Sequence, residues 1–416
     1  MCRRVDSARC DDRLLWRGRF RAGLARAFFW AAIGKGLSRS GGARALYSGR
    51  HRRAYLAWAR LTSSGALFLA LALAGGGVTQ AEDRLLPPPA GKLYQGFFFS
   101  APSPGSDDAN EHNVTPDDVR QFERAIGAKT AWVYFSDNWF ESRAFPAATC
   151  AWIRSLGKVP YIRLMLRSDL DQQHAEKEFS LTNICAGRFD EELRRWAMAA
   201  RDFGGPILIE WGTEPNGSWF AWNGKWNGHA AGPARYRAAC HHIVEVMRNA
   251  GATNLQWVWH VNWDDDPETP SNRLENYFPG AAYCDWLAVS AYGPLTPRSR
   301  EEVESFRHEI DAAYSRLTKL APGKPIIVAE FGCDIHHRKV NAARWADAAL
   351  QYLFAGRWPA IIGFCWWNES WENDDNPAHN SDLIILHDPA LLAIFHEALQ
   401  KYRDQLQETP RFKDKR

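Results

Sequence analysis

The stretch I-L-I-E-W-G-T-E-P-N-G-S-W-F-A-W, residues 207–222, decides the fold. It opens as an apolar run of the length of a buried parallel strand and closes on Gly, Pro and Asn, residues that turn the chain. Glu214 stands at the junction. The plan recurs 116 residues later, where K-P-I-I-V-A-E-F-G, residues 324–332, places Glu330 at the end of an apolar run and ahead of Phe331-Gly332. The C-terminal ends of parallel strands are where a (β/α)8 barrel carries its reactive groups.

Working outward, apolar runs alternate with helical stretches, the pattern of parallel β/α architecture. Candidate strands are Leu93–Ser100, Ala131–Phe135, Val159–Met165, Pro206–Trp211, Leu255–Val261, Asp285–Ser290, Pro325–Ala329 and Ile361–Trp367. One helix is announced by Thr115 as a cap, Pro116 in the first turn and acids just behind it. Others are expected near Ala147–Ser155, Asp190–Phe203, Pro233–Ala250, Glu301–Leu320, Asn341–Phe354 and Pro389–Arg403. Eight strands with intervening helices predict a single (β/α)8 TIM barrel over residues 82–416. The rival, an open doubly wound sheet, wants a Gly-rich phosphate loop after its first strand. Residues 95–105, Q-G-F-F-F-S-A-P-S-P-G, are no such loop.

Charge divides the chain unevenly. Residues 1–80 hold 15 Lys and Arg against 3 acidic residues, leaving 36 against 45 in the remainder, a net of −9. The basic balance that would suggest nucleic acid is therefore confined to the head, and no nucleic-acid partner is expected. Within that head, residues 1–55 form a basic extension too long for the start of an export signal. Residues 56–81 read as a signal peptide: Arg60, an apolar run from Ala66 to Ala74, then small residues at Thr79 and Ala81. The run is shorter than the roughly 20 residues of a membrane span. The alternative is an uncleaved anchor, the one route to membrane attachment. Export to the periplasm or medium is the expectation, with a monomer acting on its substrate.

Export permits disulfides. Residues 82–416 hold Cys150, Cys185, Cys240, Cys284, Cys333 and Cys365, and Cys150–Cys185 is the expected bridge. No Cys or His spacing marks a zinc site. The acidic run Asp264–Asp266 reads as a solvated loop rather than a metal site.

Two carboxylates facing each other across a cleft are the machinery of glycoside hydrolysis. Glu214 lies among Trp211, Trp219, Phe220 and Trp222, where desolvation would raise its pKa as a general acid requires. Glu330, as a nucleophile, has to stay ionised. Tyr292 is placed to supply it a hydroxyl, and Arg163 to supply charge. Residues on strands 4 and 7 oppose each other across an eight-stranded barrel, and a separation of about 5–5.5 Å would suit retention through a glycosyl-enzyme.

Four blocks together resemble a known family. They are T-E-P-N-G-S-W-F-A-W (213–222), G-A-T-N-L-Q-W-V-W-H-V-N (251–262), D-W-L-A-V-S-A-Y-G (285–293) and K-P-I-I-V-A-E-F-G (324–332). In order and spacing they are similar to glycoside hydrolase family 26, which is best known for endo-β-1,4-mannanases. The resemblance implies a (β/α)8 fold, a retaining mechanism and no cofactor. It also implies Glu214 as acid/base, Glu330 as nucleophile, Tyr292 as the nucleophile's hydrogen-bond partner, and Trp219 with a strand-8 Trp as sugar platforms. The chain departs from the family at Thr213, where His is usual, and at Glu210, where Arg is usual. Beside β-1,4-mannan, these departures leave open another β-glycan or a bacterial exopolysaccharide as substrate. A sugar-binding barrel without catalysis is the third reading. Glu210 would need a partner in the core, for which Arg163 is the candidate.

Further substrate contacts are expected from Trp366, Trp222, Asn216, His260 and Arg163. Neighbouring strand residues point opposite ways, so only one of Trp366 and Trp367 faces the barrel mouth, and Trp366 is favoured. His260 and Asn262 end strand 5, placed either to bond sugar hydroxyls or to be satisfied within the upper barrel. Trp139, Trp226 and Trp263 are candidate outer platforms.

Overall fold

The computed structural model describes residues 84–99, 101–102, 109–110, 114–299 and 304–413. The expected basic extension and signal peptide lie outside the described residues.

Eight strands close into a parallel barrel: β1 Tyr94–Phe99, β2 Trp132–Asn138, β3 Val159–Met165, β4 Ile207–Trp211, β5 Leu255–Asn262, β6 Trp286–Tyr292, β7 Ile326–Gly332 and β8 Ile361–Asn368. Each pairs in parallel with its sequence neighbours, and β8 closes onto β1. The helices that alternate with them are α1 Pro116–Ile126, α2 Ala147–Ser155, α3 Asp190–Phe203, α4 Gly232–Asn249, α5 Leu274–Tyr277, α6 Phe306–Leu320, α7 Ala342–Phe354 and α8 Pro389–Lys401, with a further short helix, Leu181–Cys185, ahead of α3. The (β/α)8 expectation holds. Thr115 and Asp118 cap α1 reciprocally, as its sequence announced. Two elements differ from expectation. The four residues of α5 are too few to show a 3.6-residue period. And α6 begins at Phe306, because the Ser305 side chain accepts from the His308 N–H and fixes the start there.

The core has two layers. Branched and aromatic residues on the outward faces of the strands pack against the helices. The barrel interior is filled by aromatics, among them Tyr94, Phe98, Trp132, Tyr134, Tyr161 and Trp367. Such bulk needs glycine opposite it. A Cβ on Gly96 would lie 1.9 Å from the Trp132 ring nitrogen, so only glycine admits that indole.

The segment before β1 seals the N-terminal end of the barrel. Leu85 joins the interior cluster. Its N–H donates to the Gln256 side chain at 2.6 Å, and its carbonyl accepts from the same amide at 3.0 Å. Leu85 also bridges Phe412 near the C-terminus. The opposite end, where the strands run into their following loops, is the end at which such a barrel carries its reactive groups. No helix among the described residues is long and apolar enough to cross a membrane. The six cysteines in the described residues are free, which corrects the expected Cys150–Cys185 bridge: Cys150 is buried while Cys185 is exposed. Cys333 and Cys365 are buried packing residues.

Candidate active site

Each of the two glutamates is aimed by a local departure from regular backbone. After β4 the chain passes through Gly212 at φ +68 and reaches Glu214 at φ +47, the left-handed region that non-glycine residues rarely enter. Two backbone bonds hold it there: the Glu214 N–H donates to the His260 carbonyl at 2.9 Å, and its own carbonyl accepts from Gly217 at 2.9 Å. The Trp219 indole N–H donates to the Glu214 carboxylate at 2.7 Å. That indole lies across Gly217, where a Cβ would come within 2.2 Å of the ring.

Glu330 is aimed by a β-bulge. Along β7, Ile327 and Ala329 face the interior, whereas Val328 and Phe331 face the helices. Strict alternation would send Glu330 outward. Instead β7 carries one extra residue against both neighbours. Val289 and Ser290 of β6 pair with Val328 and Glu330, and Phe364 and Trp366 of β8 pair with Val328 and Phe331. The bulge turns Glu330 inward. There Tyr292 donates to it at 2.9 Å, as expected for this residue, with Ser290 at 3.5 Å and Tyr134 at 3.3 Å. Burial pushes the Glu330 carboxyl up to about 7. The Arg163 charge opposes the rise and the Glu214 carboxylate adds to it. The expectation that its surroundings keep Glu330 readily ionised is thus met only in part: Arg163 and Tyr292 work for the anion, and burial works against it.

Beneath Glu330 lies a polar cluster that sequence reasoning did not assemble. Glu210 accepts from Tyr134 at 2.5 Å and from Tyr161 at 2.6 Å. His260 Nδ1 lies 3.1 Å from Glu210 and 2.9 Å from the Thr213 hydroxyl, and its Nε2 lies 2.7 Å from the Ser290 hydroxyl. Burial pushes Glu210 up, but the His260 charge and these hydrogen bonds override it and hold the carboxyl below its usual range. For His260 burial works downward, and Glu210, with Glu330 and Glu214 adding, raises it overall. Glu210 is thus paired with His260 and two tyrosines, partners that sequence reasoning did not name. Arg163 lies between aromatic faces, its guanidinium 5.4 Å from the Phe220 ring and 5.1 Å from that of Trp367. Glu210, His260 and Glu330 also form a group with ligand atoms within 4.8 Å of one another. Tyrosine protons already engage both oxygens of Glu210, and Arg163 adds positive charge nearby, so the donor set fits a proton network better than a cation.

Several expected substrate contacts are corrected. Trp366 faces outward, fully buried against Phe331 and Phe395, with its N–H on the Leu383 carbonyl. Trp367 is the inward member, stacked on Phe98 at 3.6 Å. Trp222 is buried, stacked on Phe220, and donates to the Thr213 carbonyl, so it supports the wall of the site. Asn216 is buried too. Its amide donates to the Asn262 and Asp264 carbonyls and to Asp265, tying the loop after β4 to the loop after β5. His260 is wholly buried in the cluster above, which decides between its two readings in favour of the satisfied histidine. Trp139 is buried against Phe179 and Phe189. Trp219, Trp226, Trp263 and Tyr292 remain partly exposed at the mouth. The signal for the buried cluster lay in strand parity: Tyr134, Tyr161, Glu210, His260 and Ser290 all alternate in phase with interior residues of their strands.

The profile of glycosyl hydrolase family 26 matches residues 183–389, a span that contains both glutamates. Endoglucanase H of Acetivibrio thermocellus is 27% identical over 283 residues, which are 68% of this chain and 29% of that protein, so the chain spans less than a third of the relative's length. Two solved structures share the fold. One is GH26C from Muricauda sp. MAR_2010_75, with TM-score 0.54 and 14% identity over 76% of this chain and 87% of that one. The other is the catalytic domain of the Bacillus sp. JAMB-750 GH26 endo-beta-1,4-mannanase, with TM-score 0.53 and 15% identity over 76% and 87%. Over residues 183–389 the chain belongs to glycosyl hydrolase family 26, and it is built on a (β/α)8 barrel.

Proposed function

We propose that the protein is a retaining, endo-acting β-glycosidase whose substrate is β-1,4-mannan. One observation carries this reading: Glu214 and Glu330, brought inward from β4 and β7, are each fixed by an aromatic donor, Trp219 on one and Tyr292 on the other. In this reading Glu214 protonates the glycosidic oxygen as Glu330 attacks the anomeric carbon. The C–O bond to the leaving sugar breaks and a glycosyl ester forms on Glu330. Glu214, now a carboxylate, takes a proton from water, which displaces Glu330 and restores both groups. Trp219, partly exposed beside Glu214, serves as a sugar platform, and Arg163 supports the charge of Glu330. No cofactor enters these steps. Export before action on an extracellular polysaccharide is part of the proposal, motivated by the apolar run Ala66–Ala74.

A β-1,4-glucan is the second reading, favoured by the name of the relative that is 27% identical, an endoglucanase. The two sugars differ at C2, where the mannose hydroxyl is axial and the glucose hydroxyl equatorial. Reducing-sugar release by the full chain from β-mannan, mixed-linkage glucan, β-1,3-xylan and cellulose separates them. Release from mannan that disappears with Glu330→Ala is the expected result. Release from cellulose or mixed-linkage glucan alone transfers the proposal to glucan. Unchanged release with Glu330→Ala overturns the assigned nucleophile.

A further inference from the structure

Glu330 has three hydroxyls around it, but they do not all have a proton to give. Tyr134 has one proton and two acceptors, Glu210 at 2.5 Å and Glu330 at 3.3 Å. The shorter bond takes the proton, so Tyr134 presents mainly oxygen to Glu330. Tyr292 donates at 2.9 Å. Ser290 is the third, and where its proton goes depends on His260. If the imidazole is neutral, Nδ1–H faces the Glu210 carboxylate and Nε2 is an acceptor. The Ser290 proton then turns to Nε2 at 2.7 Å and away from Glu330. If the imidazole carries both protons, Nε2–H donates to the Ser290 oxygen and frees the Ser290 proton for Glu330. The cation itself sits 4.0 Å from Glu330.

We propose that Glu210 and His260 are positioning residues for Glu330: Glu210 keeps His260 doubly protonated, His260 turns the Ser290 hydroxyl toward Glu330, and the pair adds no net charge beneath it. The inference rests on the reading of Glu330 as nucleophile. Both members are fully buried, so neither charge is screened by water. An isolated charge at this depth is costly, and removing one partner leaves the other uncompensated. The groups that face the pair and Glu330 are Tyr134 from β2, Tyr161 and Arg163 from β3, Thr213 and Glu214 after β4, Ser290 and Tyr292 from β6, and Cys365 from β8. Among these only Arg163 is a second cation. Loss of the His260 charge therefore falls mainly on Glu330.

The test uses the full chain on the 2,4-dinitrophenyl glycosides of β-mannobiose and β-cellobiose. Their leaving group needs no proton, so the acid limb of kcat/KM reports ionisation of Glu330. His260→Asn leaves Glu210 unbalanced and is expected to move that limb up by about one pH unit, a roughly tenfold loss below the limb with KM little changed. Glu210→Gln removes the charge that keeps His260 doubly protonated, so the neutral imidazole takes the Ser290 proton and the limb is expected to move up, by less than in His260→Asn because no unbalanced carboxylate remains. The double variant exchanges one neutral pair for another and is expected to bring the limb back toward the wild-type position. Single variants that leave the limb in place, or a double variant no different from His260→Asn, overturn the inference. Should either single variant fail to fold, Ser290→Ala decides: an upward shift supports the relay and an unmoved limb rejects it. Azide added to Glu330→Ala checks the underlying reading separately, because an α-glycosyl azide identifies Glu330 as the nucleophile whatever the limb does.

Discussion

Glu214 and Glu330 reach the same cleft by opposite means. Glu214 lies past the end of its strand, in a left-handed conformation at φ +47, held by hydrogen bonds to the next strand and to its own turn. Glu330 lies within its strand and is turned inward by an extra residue in the β6–β7–β8 register. The first arrangement stores strain in one residue. The second spreads the distortion over two ladders, whose remaining hydrogen bonds support it. A loop residue needs only its own turn to be reshaped, whereas a strand residue needs its neighbours to accept a bulge. The barrel thus offers rigid positions for a group that has to meet the anomeric carbon, and adjustable ones for a group that passes a proton to a leaving oxygen.

The largest test of this contrast removes each carboxylate in turn. Glu330→Ala is expected to lose activity by about 10⁴-fold or more on any aglycone, since no covalent intermediate forms without it. Glu214→Ala is expected to spare formation of the glycosyl-enzyme from dinitrophenyl substrates and to stall its hydrolysis. Azide would then release a β-glycosyl azide from that variant and an α-glycosyl azide from Glu330→Ala. Identification of the azide anomers by NMR checks both roles, and the reverse assignment would exchange them.

A smaller effect is expected at the donor to Glu330. Burial raises this carboxyl to about 7, so its anionic fraction, and with it kcat/KM, should climb as pH rises through neutrality. Tyr292→Phe removes a donor that favours the anion. The limb should move to higher pH, with about a tenfold loss of activity below it. A pH–rate profile that rises instead near the ordinary glutamate range would show that the site is wetter than its burial implies.

The smallest effect concerns strain alone. Glu214→Gly relieves the left-handed conformation and is expected to raise unfolding stability by about 1 kcal/mol while activity is lost. Glu330→Gly removes a side chain packed inside the barrel and is expected to lower stability. Denaturant unfolding of both variants checks the contrast. Equal losses would show that Glu214 is not strained.

By itself the sequence determined the barrel, because strand and helix periods are local properties written in consecutive residues. It also placed Glu214 and Glu330 at matching strand ends and put Tyr292 beside the second. It did not determine which way those strands face. Alternation fixes the relative phase of Trp366 and Trp367, not which of them looks inward; packing of Trp366 against Phe331 and Phe395 decided that. Nor did alternation foresee Glu330, whose bulge breaks the phase within one step. The Glu210–His260 pair joins residues 50 apart, and its tyrosines come from β2 and β3. Only closure of the barrel brings those side chains together in a space too dry to leave any of them unpaired. Local periodicity selects the fold, and burial on the interior of the closed sheet selects the partners.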